Sequence, residues 1–210
     1  MNFKNQLAHG LDALQLPLSE VTQTALITYV ELLNKWNKAY NLTAIRNPID
    51  MIPLHLLDSL AIGPYLQGDR LIDIGTGPGL PGIPLALAYP AKHFFLLDSN
   101  GKKTRFLTQA QLTLGLKNIT IVQDRAENFT ITPLFDCVIS RAFASLTDML
   151  KMTYHLCSST GRFLAMKGQY PESEINHLPP GFSLEHVYTL TVPLVEAQRH
   201  LVILKSNEQL

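Results

Sequence analysis

The 210-residue sequence is poor in cysteine, has one tryptophan and carries no excess of either charge: 17 Lys and Arg balance 17 Asp and Glu. Two thiols, Cys137 and Cys157, cannot frame a disulfide-stapled fold or complete a zinc site by themselves. No metal is expected, and the expected compartment is the reducing cytoplasm. No apolar run approaches the roughly 18 residues that a membrane-spanning helix needs. The first twenty residues include Asn2, Lys4, Asn5, Gln6, His9 and Asp12, a polar start that argues against a secretory leader. Zero net charge gives no general attraction to nucleic acid, so any such binding must come from local clusters. Repeats and low-complexity tracts are absent too.

What is present divides in two. Residues 1–62 read as a helical extension. Val21, Ala25, Tyr29, Leu32, Leu33 and Trp36 recur at helical spacing, a stripe that points to core packing. Ser19 suits the N-cap of that helix, and Asn47-Pro48 suits another helix start. Residues 63–210 alternate between strands and helices. Strands are expected at Leu71–Ile74, His93–Asp98, Ile119–Val122, Cys137–Ile139 and Phe163–Met166. Helices are expected at Leu80–Ala88, Lys102–Leu114, stopped by Gly115, and Leu146–Leu156, ended by Gly161. Leu184–Val192 and His200–Lys205, joined by a short gap, predict an antiparallel pair. The expected fold is α/β: a Rossmann-like, mostly parallel doubly wound sheet whose ligands bind at the carboxyl ends of its strands.

The most informative stretch runs from Asp73 to Gly82, DIGTGPGLPG, between the first strand and the first helix of that sheet. From Gly77 it fits the dinucleotide pattern Gly-x-Gly-x-x-Gly, and Asp98, 21 residues on, is placed to hold a ribose. A nicotinamide-dependent oxidoreductase is therefore a genuine rival. Against it, Pro78 and Pro81 remove two of the N–H groups that would cradle a pyrophosphate. Asp73, read as a carboxylate at the mouth of the loop, would repel phosphate and favour a ligand with an ammonium and a sulfonium. S-adenosylmethionine has both and lacks phosphate. Asp124 or Glu127, after the third strand, could accept from its adenine amino group; the simpler reading is a helix start with acids favoured by the dipole.

The nucleophile is approached by elimination. The Asn- or Asp-Pro-Pro-aromatic loop of exocyclic amine methylation is replaced by Ser140-Arg141-Ala142-Phe143, and no Pro-Cys loop offers a thiol for pyrimidine carbon-5. A ring nitrogen such as guanine N7 has its lone pair ready and needs positioning rather than a base. Lys167 and Ser140, at strand ends beside the predicted pocket, are the candidates to orient such a base; no general base is expected. His55 and Asp58, three apart, read as a structural pair. Lys35, Lys38 and Arg46, with Trp36 and Tyr40 among them, and Lys102, Lys103 and Arg105 are local basic clusters suited to phosphates or merely to solvent.

Lys35–Thr43, His55-x-x-Asp58-Ser59, the Asp73–Pro84 loop, Leu97-Asp98-Ser99, Ser140-Arg141-Ala142 and Lys167-Gly168 together resemble the RsmG (GidB) family of bacterial small-subunit rRNA methyltransferases. The resemblance runs from about Leu16 to Lys205. It implies a class I S-adenosylmethionine-dependent methyltransferase with an N-terminal helical extension for contact with rRNA. The implied reaction is N7 methylation of a guanosine, position 527 in rRNA numbering, in the 530 loop of 16S rRNA within the small subunit or its precursor. It also puts cofactor contacts on Gly75, Leu80, Ala126, Glu127 and Arg141; Gly77 and Asp98 join them from the loop reading above. Asn100 departs from the family pattern, which usually has a small or apolar residue there. A ribosome-assembly factor that binds RNA without catalysis is the remaining alternative.

Overall fold

The computed structural model describes residues 3–141 and 143–207; Ala142, within the Ser140–Ala142 run, lies outside them. The extension contributes α1 (Phe3–Ala13), α2 (Glu20–Tyr40), α3 (Pro48–Met51), a π-helical stretch (Ile52–Leu57) and α4 (Asp58–Leu60). Ser19 caps α2 by accepting from Thr22 N, and Asn47 caps α3, with Pro48 in its first turn. The buried side of α2 is Leu26, Tyr29, Val30, Leu33 and Asn37, spaced by three and four. Val21, expected in this stripe, is 80% exposed, because it lies in the first turn of α2 and the buried side of the helix begins only at Leu26.

The sheet holds β1 (Arg70–Ile74), β2 (His93–Leu97), β3 (Ile119–Val122), β4 (Phe135–Ser140), β5 (Cys157–Lys167), β6 (Phe182–Thr189) and β7 (His200–Ser206) in the order β3-β2-β1-β4-β5-β7-β6. The first five run parallel; β7 is antiparallel to β5, and β6 to β7. Helices α5 (Gly82–Ala88), α6 (Gly101–Leu114), α7 (Leu146–Thr153) and α8 (Glu172–Asn176) fill the connections. Asn100 caps α6 through Lys102 N, which gives this departure from the family pattern a local structural use. Gly115 ends the helix in the left-handed region, as its position predicted.

Alternation along the strands makes two faces. Leu71, Phe94, Leu96, Ile139 and Leu164 pack with the extension and with α5 and α6, whereas Ile72, Ile74, Phe95, Val138 and Phe163 pack with α7. The extension thus shares one apolar cluster with the sheet. Several element boundaries differ from expectation: β4 is longer at both ends than Cys137–Ile139, α7 ends at Thr153 rather than Leu156, and β6 spans Phe182–Thr189 rather than Leu184–Val192. Leu80 and Pro81 belong to the turn before α5. Gly161 lies inside β5, which already begins at Cys157. A Cβ at Gly161 would stand 2.9 and 3.0 Å from the Phe135 and Asp136 carbonyl oxygens, so glycine admits the irregular β4–β5 register there.

Candidate methyl-transfer site

The order in which the parallel strands are laid down reverses between β1 and β4, the position where doubly wound folds bind ligands. The two strand ends are tied there by Ser140 Oγ, which donates to the Ile74 carbonyl at 2.9 Å. Two cavities open at this edge. The first, of 440 Å³, is walled by Ile74, Gly75, Leu97, Ala126 and Phe143, with Asp98, Asp124 and Glu127 as its acids. Gly75 has φ +66°, a conformation that an L side chain rarely adopts, and it forms part of the wall.

The glycine loop directs its N–H groups inward. Thr76 N donates to Leu97 O, Gly77 N to Asp98 Oδ2, and Gly79 N and Leu80 N to Thr76 O. Gly82 N donates to Asp73 Oδ2 and Ile83 N to Gly79 O, while Pro78 and Pro81 have no N–H to give. From Thr76 to Ile83 no donor is left to cradle a pyrophosphate. The cavity suits a nucleoside without phosphate, with apolar walls for a base and the 5%-exposed Asp98 for a ribose.

Asp73 corrects the sequence reading. Its carboxylate is fully buried under the loop, not at its mouth, and does not line the cavity. Oδ2 accepts from Thr76 Oγ1 at 2.6 Å and from Gly82 N at 2.9 Å. Oδ1 has no partner among the described residues. Burial pushes its pKa up to about 7 against these two hydrogen bonds. Asp73 therefore staples the loop to the start of α5. A Cβ at the neighbouring Gly82 would lie 2.2 Å from a methyl of buried Leu96 and 2.9 Å from Asp73 Oδ2, so a side chain there must displace both.

The second cavity, of 390 Å³, lies at the ends of β4, β5 and β7 and against the extension. Asp58, 3% exposed, accepts from Arg141 Nη1 at 3.1 Å and from Arg199 Nε at 2.7 Å. One buried carboxylate thus aims two guanidinium groups, a net positive charge at the cavity wall. His55 lines the same cavity but does not pair with Asp58, contrary to expectation, because the π-helical stretch turns it elsewhere. Its Nδ1 faces the Leu54 carbonyl and must carry the proton, so Nε2 accepts from Thr43 Oγ1 at 2.8 Å. Burial first, then Arg141, lowers its pKa to about 4, leaving a neutral ring. Asn37, buried in α2, holds this Thr43 segment through Thr43 N and the Ile45 carbonyl.

Of the expected site residues, Gly75, Asp98, Ala126 and Glu127 come together in the first cavity. Gly77 supports it through Asp98, and Leu80 is buried in the turn without lining it. Arg141, carried over as a cofactor contact, lines the second cavity instead; Phe143, two residues on, lines the first. The two orienting candidates are already engaged. Ser140 is buried with its hydroxyl given to Ile74 O. Lys167 lines the second cavity, but its ammonium is held by both Glu174 oxygens and the Ala144 carbonyl at 2.9–3.1 Å. Arg199 was missed. A charged residue in a gap between two strands gave no signal in the sequence, and its role arises from Asp58, 141 positions away.

Lys35 and Lys38 lie on α2, Arg46 in the loop that follows it, and Lys102, Lys103 and Arg105 on the neighbouring α6. α2 packs on α6 through Trp36 and Phe106, whose ring centroids are 5.7 Å apart, and Tyr40 stacks on Trp36 at 5.2 Å. Lys35, Lys38, Arg46, Lys102 and Arg105 are exposed. No described helix is long and apolar enough to cross a membrane.

Solved structures sharing the fold include Thermus thermophilus TrmN, with TM-score 0.57 and 22% identity, covering 81% of this chain and 53% of that one. Pyrococcus horikoshii TYW2 in complex with MeSAdo is another, with TM-score 0.54 and 9% identity, covering 72% and 62%. The fold is that of the class I methyltransferases. Ribosomal RNA small subunit methyltransferase G of Salmonella arizonae is 56% identical over 97% of this chain and 99% of its own length. The Cronobacter sakazakii protein of the same name is 54% identical over 97% and 98%. Residues 22–202 match the family described as rRNA small subunit methyltransferase G (GidB), and the chain belongs to that family.

Proposed function

We propose that this enzyme transfers a methyl group from S-adenosylmethionine to N7 of guanosine 527 in the 530 loop of 16S rRNA, within the small subunit or its precursor. The observation that carries the reading is the pair of cavities on either side of the loop after β4, one suited to a phosphate-free nucleoside and one walled by cations. When bound, the cofactor supplies an electrophilic methyl group on a sulfonium. Gly75, Leu97 and Ala126 wall it in, Asp98 accepts from its ribose, and Glu127 is the acceptor near its adenine. In the second cavity Arg141 and Arg199, rather than Lys167 and Ser140, orient the nucleotide through guanine O6 or a phosphate. Guanine N7 loses no proton, so the protein contributes alignment and exclusion of water. A loop nucleotide enters such a cavity at modest cost because no duplex holds it. The extension is a contact for rRNA through the exposed Lys35, Lys38 and Arg46, and the exposed Lys102 and Arg105 of α6 add to it.

The inward-facing loop N–H groups disfavour the dinucleotide reading. The non-catalytic assembly factor is separated by chemistry. Mapping of N7-methylguanosine in small-subunit rRNA should show the modification at position 527 in cells with the gene and its loss in cells without it. Equal modification in both strains would refute the assignment.

A further inference from the structure

Lys103 stands between the first cavity and the exposed surface of α6. Its ammonium is 3.3 Å from Asp98 Oδ2, and its side chain lines the first cavity while remaining 34% exposed. It projects from the first turn of α6, the helix that also carries the exposed Lys102 and Arg105.

The acceptor capacity of Asp98 decides the argument. A carboxylate offers about four lone-pair directions, two on each oxygen. Oδ1 accepts from Asn100 N at 2.9 Å. Oδ2 accepts from Gly77 N at 2.9 Å and from Lys103. The backbone bonds are fixed by the glycine loop and the start of α6. A ribose presents two adjacent hydroxyls and is best held with one on each carboxylate oxygen. Oδ1 has room for a hydroxyl; Oδ2 has none while Lys103 stays. Among these three donors only Lys103, on a flexible four-carbon stem, can leave without unfolding the site.

We propose that Lys103 couples the binding of cofactor and rRNA: it occupies Asp98 in the free enzyme and passes to an rRNA phosphate when the ribose takes the carboxylate. The inference rests on the cofactor and substrate readings above. Cofactor binding frees a cation on the face that meets RNA, and a phosphate that draws Lys103 outward frees the acceptor that the ribose needs. By linkage, each ligand tightens the other by the same factor.

The experiment is calorimetric titration of S-adenosylhomocysteine into the wild-type enzyme and Lys103→Met, alone and with small ribosomal subunits from cells lacking the gene. In the wild type, subunits should tighten nucleoside binding by on the order of fivefold or more, and saturating nucleoside should tighten subunit binding equally. In Lys103→Met the nucleoside alone should bind at least as tightly as in wild type, and the coupling factor should fall to about one. Lys102→Met should weaken subunit binding yet keep the factor. The proposal is overturned if the wild type shows no coupling, if Lys103→Met keeps it, or if that variant loses nucleoside affinity without RNA. Failure of the wild type to bind S-adenosylhomocysteine at all would remove the cofactor reading, and this inference with it.

Discussion

Asp73 and Gly75, two residues apart, carry opposite kinds of constraint. Asp73 is an acid whose folded-state pKa, about 7, lies above its ordinary value of 3.8. The folded protein therefore keeps a proton that the unfolded chain has already released. Its stabilising contribution is complete below about pH 4 and declines as pH rises toward 7. Asp73→Asn preserves an acceptor for Thr76 and Gly82 without a buried charge. Thermal unfolding of this variant should show less loss of Tm between about pH 5 and 8 than the wild type; an unchanged difference would mean that Asp73 is not the group responsible. Gly75→Val should abolish S-adenosylmethionine binding, because its side chain enters the cavity wall, and should cost about 1–2 kcal/mol for a left-handed backbone. Circular dichroism with calorimetry would separate lost binding from lost fold, and a folded variant of normal affinity would remove Gly75 from the site.

At the scale of elements, α2 is joined directly to the glycine loop: Tyr29 donates to the Pro78 carbonyl at 2.9 Å, fully buried. Tyr29→Phe should destabilise the protein by about 1 kcal/mol, with more if the carbonyl stays unsatisfied, and should weaken nucleoside binding. Denaturant titration beside calorimetry would check both; full affinity in a destabilised variant would show that the loop holds itself. Asp58 links the extension to the ends of β4 and β7. Asp58→Ala leaves two guanidinium groups facing each other and should cost about 3 kcal/mol, while acceptor binding falls more than nucleoside binding. Local signals made much of this framework legible: caps at Ser19 and Asn47, the stop at Gly115, and glycines before α5. Other features depend on distant partners. Lys167 looks available in sequence until the short helix α8 brings Glu174 against it, and Gly161 looks like a helix end until β4 carbonyls press on it. The first cavity was readable because its residues follow directly on strands. The second required Asp58, Arg141 and Arg199 to converge.

For the molecule as a whole, zero net charge coexists with exposed cations at Lys35, Lys38 and Arg46 and at Lys102 and Arg105. Subunit binding should weaken with added salt, and neutral replacements of Lys35, Lys38 and Arg46 should flatten that dependence while sparing the cofactor. Unchanged salt dependence would make the cluster a solvated surface. With ligands saturating, single-turnover rates should be nearly flat between about pH 6.5 and 8.5, since His55 is neutral throughout and N7 has no proton to surrender. A tenfold rise per pH unit, abolished by replacing one ionisable residue in the second cavity, would call for a base. The order of the sheet also constrains how the enzyme comes into being. β7 lies between β5 and β6, both of which precede it in the chain. During synthesis β6 has no place beside β5 until residues 200–206 have emerged to fill the slot. Arg199, immediately before β7, reaches Asp58 only in that late stage. The glycine loop after β1 is thus synthesised long before the second cavity can be completed, since that cavity needs Arg199 on Asp58.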